Sequence, residues 1–181
     1  DLTVAMLNSD AYSTTVVAID MGGLGKLNIN QGDSGNGIDA FDDKMPTAWE
    51  EPWGAGLGTG IVNVSGIATS FNVQYTTPKM FGVTIALAAA EMGQSDTGDK
   101  ESGGSKASNK GKGYDATINI NPSFGTEVLS GLNVFAGFHQ TDNYAAADND
   151  IHEGVAGITF DIGPISLGYQ KQGQLTGKKT G

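Results

Sequence analysis

The sequence predicts an all-β fold built from antiparallel strands, on three observations. Several runs alternate apolar and polar residues with a period of two, the mark of a strand whose faces meet different surroundings. The connections between the runs are short at one end of the implied sheet and long at the other. No apolar run reaches the roughly 18 residues that a membrane helix needs. Two architectures fit these marks. A transmembrane barrel has strands of about nine to eleven residues, turns at one rim and loops at the other. A soluble sandwich or jelly roll has the same alternation with a dry core.

Taken in order, residues 2–8 (LTVAMLN) and 11–20 are rich in β-branched residues and flank the turn-like Asn8-Ser9-Asp10, which predicts a hairpin. Gly22, Gly23 and Gly25 lead into residues 26–33, where Leu27 and Ile29 alternate with Lys26, Asn28 and Asn30. That parity puts Lys26 on the polar face. Residues 69–77 set Phe71, Val73 and Tyr75 against Asn72, Gln74 and Thr76, and Pro78 ends the run because it lacks a ladder donor. Residues 83–92 carry Val83, Ile85 and Leu87 on one face; their alanines would also suit a helix, but the alternation favours a strand.

Residues 94–113 are glycine, serine and charge without aromatics, the composition of a solvated loop. The cleanest alternation follows at 114–121, Tyr114, Ala116, Ile118 and Ile120 against Asp115, Thr117, Asn119 and Asn121. Strands are expected at 132–142, 154–162 and 165–173, with an acidic loop around Asp148, Asp150 and Glu153, and a reversal at Gly163-Pro164. His139 shares parity with Asn133 and Thr141 and should face the polar side, while His152 should lie in the acidic loop. The total is nine strands in one unit spanning 1–181.

Composition narrows the function. The net charge is −10 and every base is a lysine, so a basic face for nucleic acid has little support and cations are the more natural partners. The absence of cysteine removes disulfides, thiolate metal sites and thiol nucleophiles.

The segment with the strongest chemical character is 33–60. Asp33, Asp39, Asp42, Asp43, Glu50 and Glu51 stand against Lys44 alone, and both tryptophans of the chain, Trp49 and Trp53, lie within it. A connection this long is usually functional or disordered, and its aromatics argue for packing. Phe41, Trp49 and Trp53 are candidate anchors or ring-stacking platforms for sugars. Asp33, Asn36, Asp39, Asp42 and Asp43 offer oxygens of the kind calcium takes, as do Asp148 and Asp150, but neither group has EF-hand spacing. Gly32-Asp33-Ser34-Gly35 copies the tetrapeptide around a serine-protease nucleophile, yet both histidines follow it, in the wrong chain order. GAGLGTG at 54–60 misses the spacing of a dinucleotide-binding loop and opens no helix.

GGLGKLNINQGDSG (22–35), VQYTTPKMFGVTIALAAA (73–90), GLNVFAGFHQ (131–140) and ITFDIGPISLGYQKQ (158–172) together resemble the general porins of Gram-negative bacteria. The resemblance implies an outer-membrane barrel of about sixteen antiparallel strands, assembled as a homotrimer, with apolar faces toward lipid and polar faces toward a water-filled lumen. It implies that 33–60 folds inward as the constriction loop, and that the nine strands are expected to belong to a larger barrel. On that resemblance the protein is a non-enzymatic channel for small hydrophilic solutes and cations, with no cofactor unless calcium binds. The arginine cluster that general porins set opposite the acidic loop has no counterpart here, and lysines or further strands would have to supply that wall. The reading from another class is a secreted, calcium-stabilised β-sandwich that binds glycans or surfaces; a sugar-specific porin is the third.

Overall fold

The computed structural model describes residues 2–8, 11–46, 63–91, 110–122, 129–143 and 148–178. They form one antiparallel sheet of nine strands in strict chain order: β1 (Leu2–Asn8), β2 (Ala11–Asp20), β3 (Lys26–Gln31), β4 (Asn72–Thr76), β5 (Val83–Glu91), β6 (Lys110–Ile120), β7 (Leu132–Asn143), β8 (Asp148–Ile162) and β9 (Ile165–Lys178). β1 and β9 are its two edges and do not pair with each other. The alanine-rich run at 83–91 is strand, as its alternation predicts, because both β4 and β6 bind it along its length.

The short connections behave as their sequences suggest. Between β4 and β5, Phe81 and Gly82 both take positive φ (52° and 80°), and Met80 and Val83 exchange backbone hydrogen bonds of 2.9 Å in each direction. Positive φ at both central residues is the tight hairpin turn whose twist matches that of the strands.

Three expectations fail in the second half of the chain, for one reason. β6 begins at Lys110, inside the stretch expected to be loop, because Lys112 pairs with Glu91 across the ladder. β8 begins at Asp148, so Asp150, His152 and Glu153 belong to a strand and not to an acidic loop. β9 continues to Lys178, past the expected end at 173. In each case cross-strand partners override a local composition that reads as solvated.

The two faces differ sharply. One presents Ile85, Leu87, Phe138, Leu167, Tyr169 and Leu175, all exposed, in alternation along the strands. The other carries Asn30, Asn72, Asp115, His139, Thr141 and Glu153, and these polar residues are the buried ones. The small apolar core also lies on this second side: Ile38, Phe41, Val64, Phe135 and Val155 form one cluster, with Met45 packed against it, and Ile67, Ala88 and Ala90 form another. What covers the polar face is the long connection between β3 and β4.

Candidate functional site

Two limbs of that connection are described, 32–46 and 63–71. The first includes a short 3-10 helix, Gly37–Phe41, lying over β5 to β8. Its two apolar side chains point at the sheet. Ile38 occupies the space left by Gly137, where a Cβ would come within 2.6 Å of the Ile38 side chain. Phe41 stacks on Phe135 at 4.7 Å between centroids, and Phe135 in turn fills the space over Gly157. An apolar pair three residues apart in an acidic segment therefore marks the side that lies down.

The polar contacts are made largely by the loop backbone. Asp115 Oδ2 accepts the N–H of Ile38 at 2.8 Å and the N–H of Ile67 at 3.4 Å, so one carboxylate holds both limbs. Gly37 (φ 59°) and Gly66 (φ 52°) make this approach possible, since a Cβ at either position would collide with the Asp115 carboxylate. Glu153 Oε2 accepts the N–H groups of Ser65 (3.0 Å) and Gly66 (2.8 Å), and its Oε1 accepts from Gln174 Nε2 (2.7 Å). On the β3/β4 side, Gln74 Oε1 accepts the Gly37 N–H at 2.8 Å. There Asn30 Nδ2 donates to both Asn36 Oδ1 and Asn72 Oδ1 at 2.9 Å. On the β9 side, Gln172 Nε2 donates to Asn63 Oδ1 (2.6 Å), and Asn63 Nδ2 donates to the Asp42 carbonyl (2.9 Å). Backbone groups in such a buried seat must find partners, and the wall supplies them.

One transverse row organises the wall. Asn28, Gln74, Ala88, Asp115, His139, Glu153 and Gln174 are successive cross-strand partners from β3 to β9, all on the loop side. His139 thus stands between two carboxylates. Its Nδ1 meets Asp115 Oδ1 as an ion pair or hydrogen bond, and its Nε2 meets Thr141 Oγ1 at 2.5 Å. Asp115, His139 and Thr141 mimic a catalytic relay in their order, and all three are buried, with Thr141 only 1% exposed.

Of the carboxylates singled out in 33–60, Asp33, Asp39, Asp42 and Asp43 lie within the described residues. Asp39 turns back to accept the Gly35 N–H at 2.8 Å. Burial raises its pKa above the ordinary 3.8; the Gly35 hydrogen bond pulls the other way, and the charges of Asp115, Asp43 and Glu153 push it up further. Asp39, Asp42, Asp43 and Lys44 border an open cleft of about 350 Å³. Asp33 contributes its carbonyl to Asn36 Nδ2 at 2.7 Å. Among the described residues no three carboxylate or imidazole groups converge on a common point. Asp39 is turned inward to its own backbone while Asp43 is exposed.

Phe41 is an anchor and not a sugar platform, since only 4% of it is exposed. Lys26 lies on the loop-side face beside Asp20 and Thr76 and is exposed. His139 faces the polar side as its parity predicts, whereas His152 lies in β8 on the apolar face, stacked on Phe138 at 5.8 Å. Trp49, Glu50, Glu51 and Trp53 fall outside the described residues. Asp115 and Glu153, which hold the loop, were not among the expected site residues; the one signal for Asp115 was an acid on the polar side of the cleanest alternation in the chain.

Comparison with protein-family models, curated proteins and solved structures finds no significant match, so the arrangement is read on its own geometry.

Proposed function

We propose that this chain forms part of the wall of a water-filled β-barrel channel in the outer membrane of a Gram-negative bacterium, of the general porin kind, with 33–60 as its constriction loop. One observation carries the reading: among the described residues the sheet packs its polar face and leaves its apolar face uncovered. Contiguous apolar surface on a monomeric soluble protein rarely exceeds a few hundred Å², whereas here it extends across most of the nine strands. Lipid is the surrounding that such a face suits, and a polar face covered by a strapped loop suits a lumen. Spanning lipid requires that the edges at β1 and β9 be satisfied, because open edges are not tolerated there. Closure by further strands, and assembly as a homotrimer, belong to the same proposal.

The transport mechanism is diffusion of small hydrophilic solutes and ions, without a reaction and without a cofactor. Acidic groups at a constriction raise the local cation concentration and repel small anions. Asp39, Asp42 and Asp43 border one cleft on the first limb, and Asp33, Glu50 and Glu51 complete the acidic set of the segment. The purified protein in planar lipid bilayers is expected to give steady conductance steps and, in a salt gradient, a reversal potential of cation sign. A protein that stays soluble without detergent and gains melting temperature from millimolar calcium would favour the secreted sandwich. That alternative needs a second sheet over the apolar face, and the nine described strands are one sheet. Block of the current by oligosaccharides would favour a sugar-specific channel, now resting on Trp49 and Trp53 without Phe41.

A further inference from the structure

We propose that His139 is a positioning residue for the constriction loop: by holding one oxygen of Asp115, it aims the other at the two backbone N–H groups that join both limbs of the loop to the wall. The inference rests on reading 33–60 as a constriction, but its chemistry is local. Asp115 Oδ2 receives Ile38 from one limb and Ile67 from the other, 29 positions apart in sequence. A carboxylate with only these two partners would be free to rotate and to exchange its oxygens. The imidazole removes that freedom, because its Nδ1 occupies Oδ1 while Thr141 fixes the ring from the opposite nitrogen. A hydrogen bond at the second ring nitrogen sets the ring's orientation and which nitrogen faces the carboxylate.

The surroundings make this positioning necessary. Asp115 is 3% exposed and the Ile38 side chain is fully buried beside it, so a rotated carboxylate finds little water to replace the lost donors. Gly37 and Gly66 both lie where a Cβ would strike this carboxylate, so the backbone of each limb has been brought down to it. Glu153, the other carboxylate of the seat, binds the second limb alone among the described residues of the loop and takes its side-chain partner from Gln174. Asp115 is the carboxylate that ties the limbs together, and His139 is what keeps it aimed.

The test is hydrogen exchange at single-residue resolution on the full chain folded in detergent, with intact melting followed in parallel. His139→Ala should speed exchange at the Ile38 and Ile67 amides by about tenfold or more, the expected loss for a hydrogen bond to a charged group. The amides of β6 and β7 should keep wild-type protection. His139→Asn should restore protection, because its amide nitrogen lies where Nδ1 of the imidazole lay; His139→Gln should not, because its nitrogen lies nearer the position of Nε2. Thr141→Val, which keeps the imidazole and removes its second support, should give the same pattern at smaller size and carries the test if the alanine variant does not fold.

Unchanged protection at Ile38 and Ile67 in whichever of these variants folds would overturn the proposal. So would acceleration spread evenly through β6 and β7, or rescue by glutamine in place of asparagine. A wild-type protein that conducts no ions would overturn the channel reading instead, and leaves the exchange pattern as an independent result.

Discussion

The two limbs of the loop share apolar burial and the Asp115 carboxylate as means of attachment to the wall, but they lean on them in different proportion. The first, 32–46, carries charges of its own and is seated by apolar side chains, Ile38 and Phe41, pressed into spaces beside Gly137 and Phe135. The second, 63–71, contains no charged residue, and it is seated by carboxylates of the wall that accept its backbone N–H groups. Acids on the loop border an open cleft; acids on the strands hold structure. The position of a carboxylate relative to the sheet therefore says more about its task than its presence in an acidic stretch.

Breaking the first limb should have the largest effect. Phe41→Ala removes the ring stacked on Phe135 and is expected to cost about 3 kcal/mol of seating free energy, in the range for buried phenylalanine truncation. Limited proteolysis in detergent reads it as faster cleavage within 33–46, with 63–71 affected less. Equal sensitivity of both limbs would erase the distinction.

Breaking the second limb should cost less. Glu153→Gln removes the charge from the oxygen that accepts both backbone N–H groups and sets an amide nitrogen against either those donors or Gln174 Nε2. A loss of about 2 kcal/mol is expected, read as accelerated hydrogen exchange at Ser65 and Gly66 and little change at Ile38. Acceleration centred on the first limb would contradict the assignment.

The smallest effect sharpens the comparison from the acidic side. Asp39 is the loop carboxylate that burial disfavours in its charged form, so its pKa in the seated loop lies above 3.8. The seated state then binds the proton more tightly than the released one. Seating weakens as the pH rises from that ordinary value through the raised one, and recovers as the pH falls. Asp39→Asn keeps an oxygen for the Gly35 N–H, and should flatten this dependence while leaving the loop seated at neutral pH. Melting curves on either side of the window check it; an unchanged slope would show that other groups set the dependence.

Much of the sheet was legible because alternation is a local property. Tyr114 to Asn121 announces its two faces without help from the rest of the chain, and Pro78 and Gly163-Pro164 mark turns by their own backbone chemistry. The start of β8 was not legible, because Asp148, Asp150 and Glu153 look solvated until their partners are known. Glu153 is matched by Ser65 and Gly66, 88 and 87 positions away. Asp115 is matched by Ile38 across 77 positions, and the donor is a backbone group, which every residue except proline possesses. Such a pairing leaves no trace in residue type. The nearest trace is the glycine beside each donor, Gly37 and Gly66, and glycines are too common in this chain to single those two out.

Because the wall grips main-chain atoms, the identity of most loop side chains is uncoupled from the grip. Ser34, Ala40, Asp43 and Lys44 take no part in the seat described above, so replacing them alters the charge and shape of the cleft they line without releasing the strap. The chemistry of the cleft in such a design can drift across generations while the scaffold stays constant, and the residues that resist change should be two acids, one imidazole and the small residues that let the chain come near them.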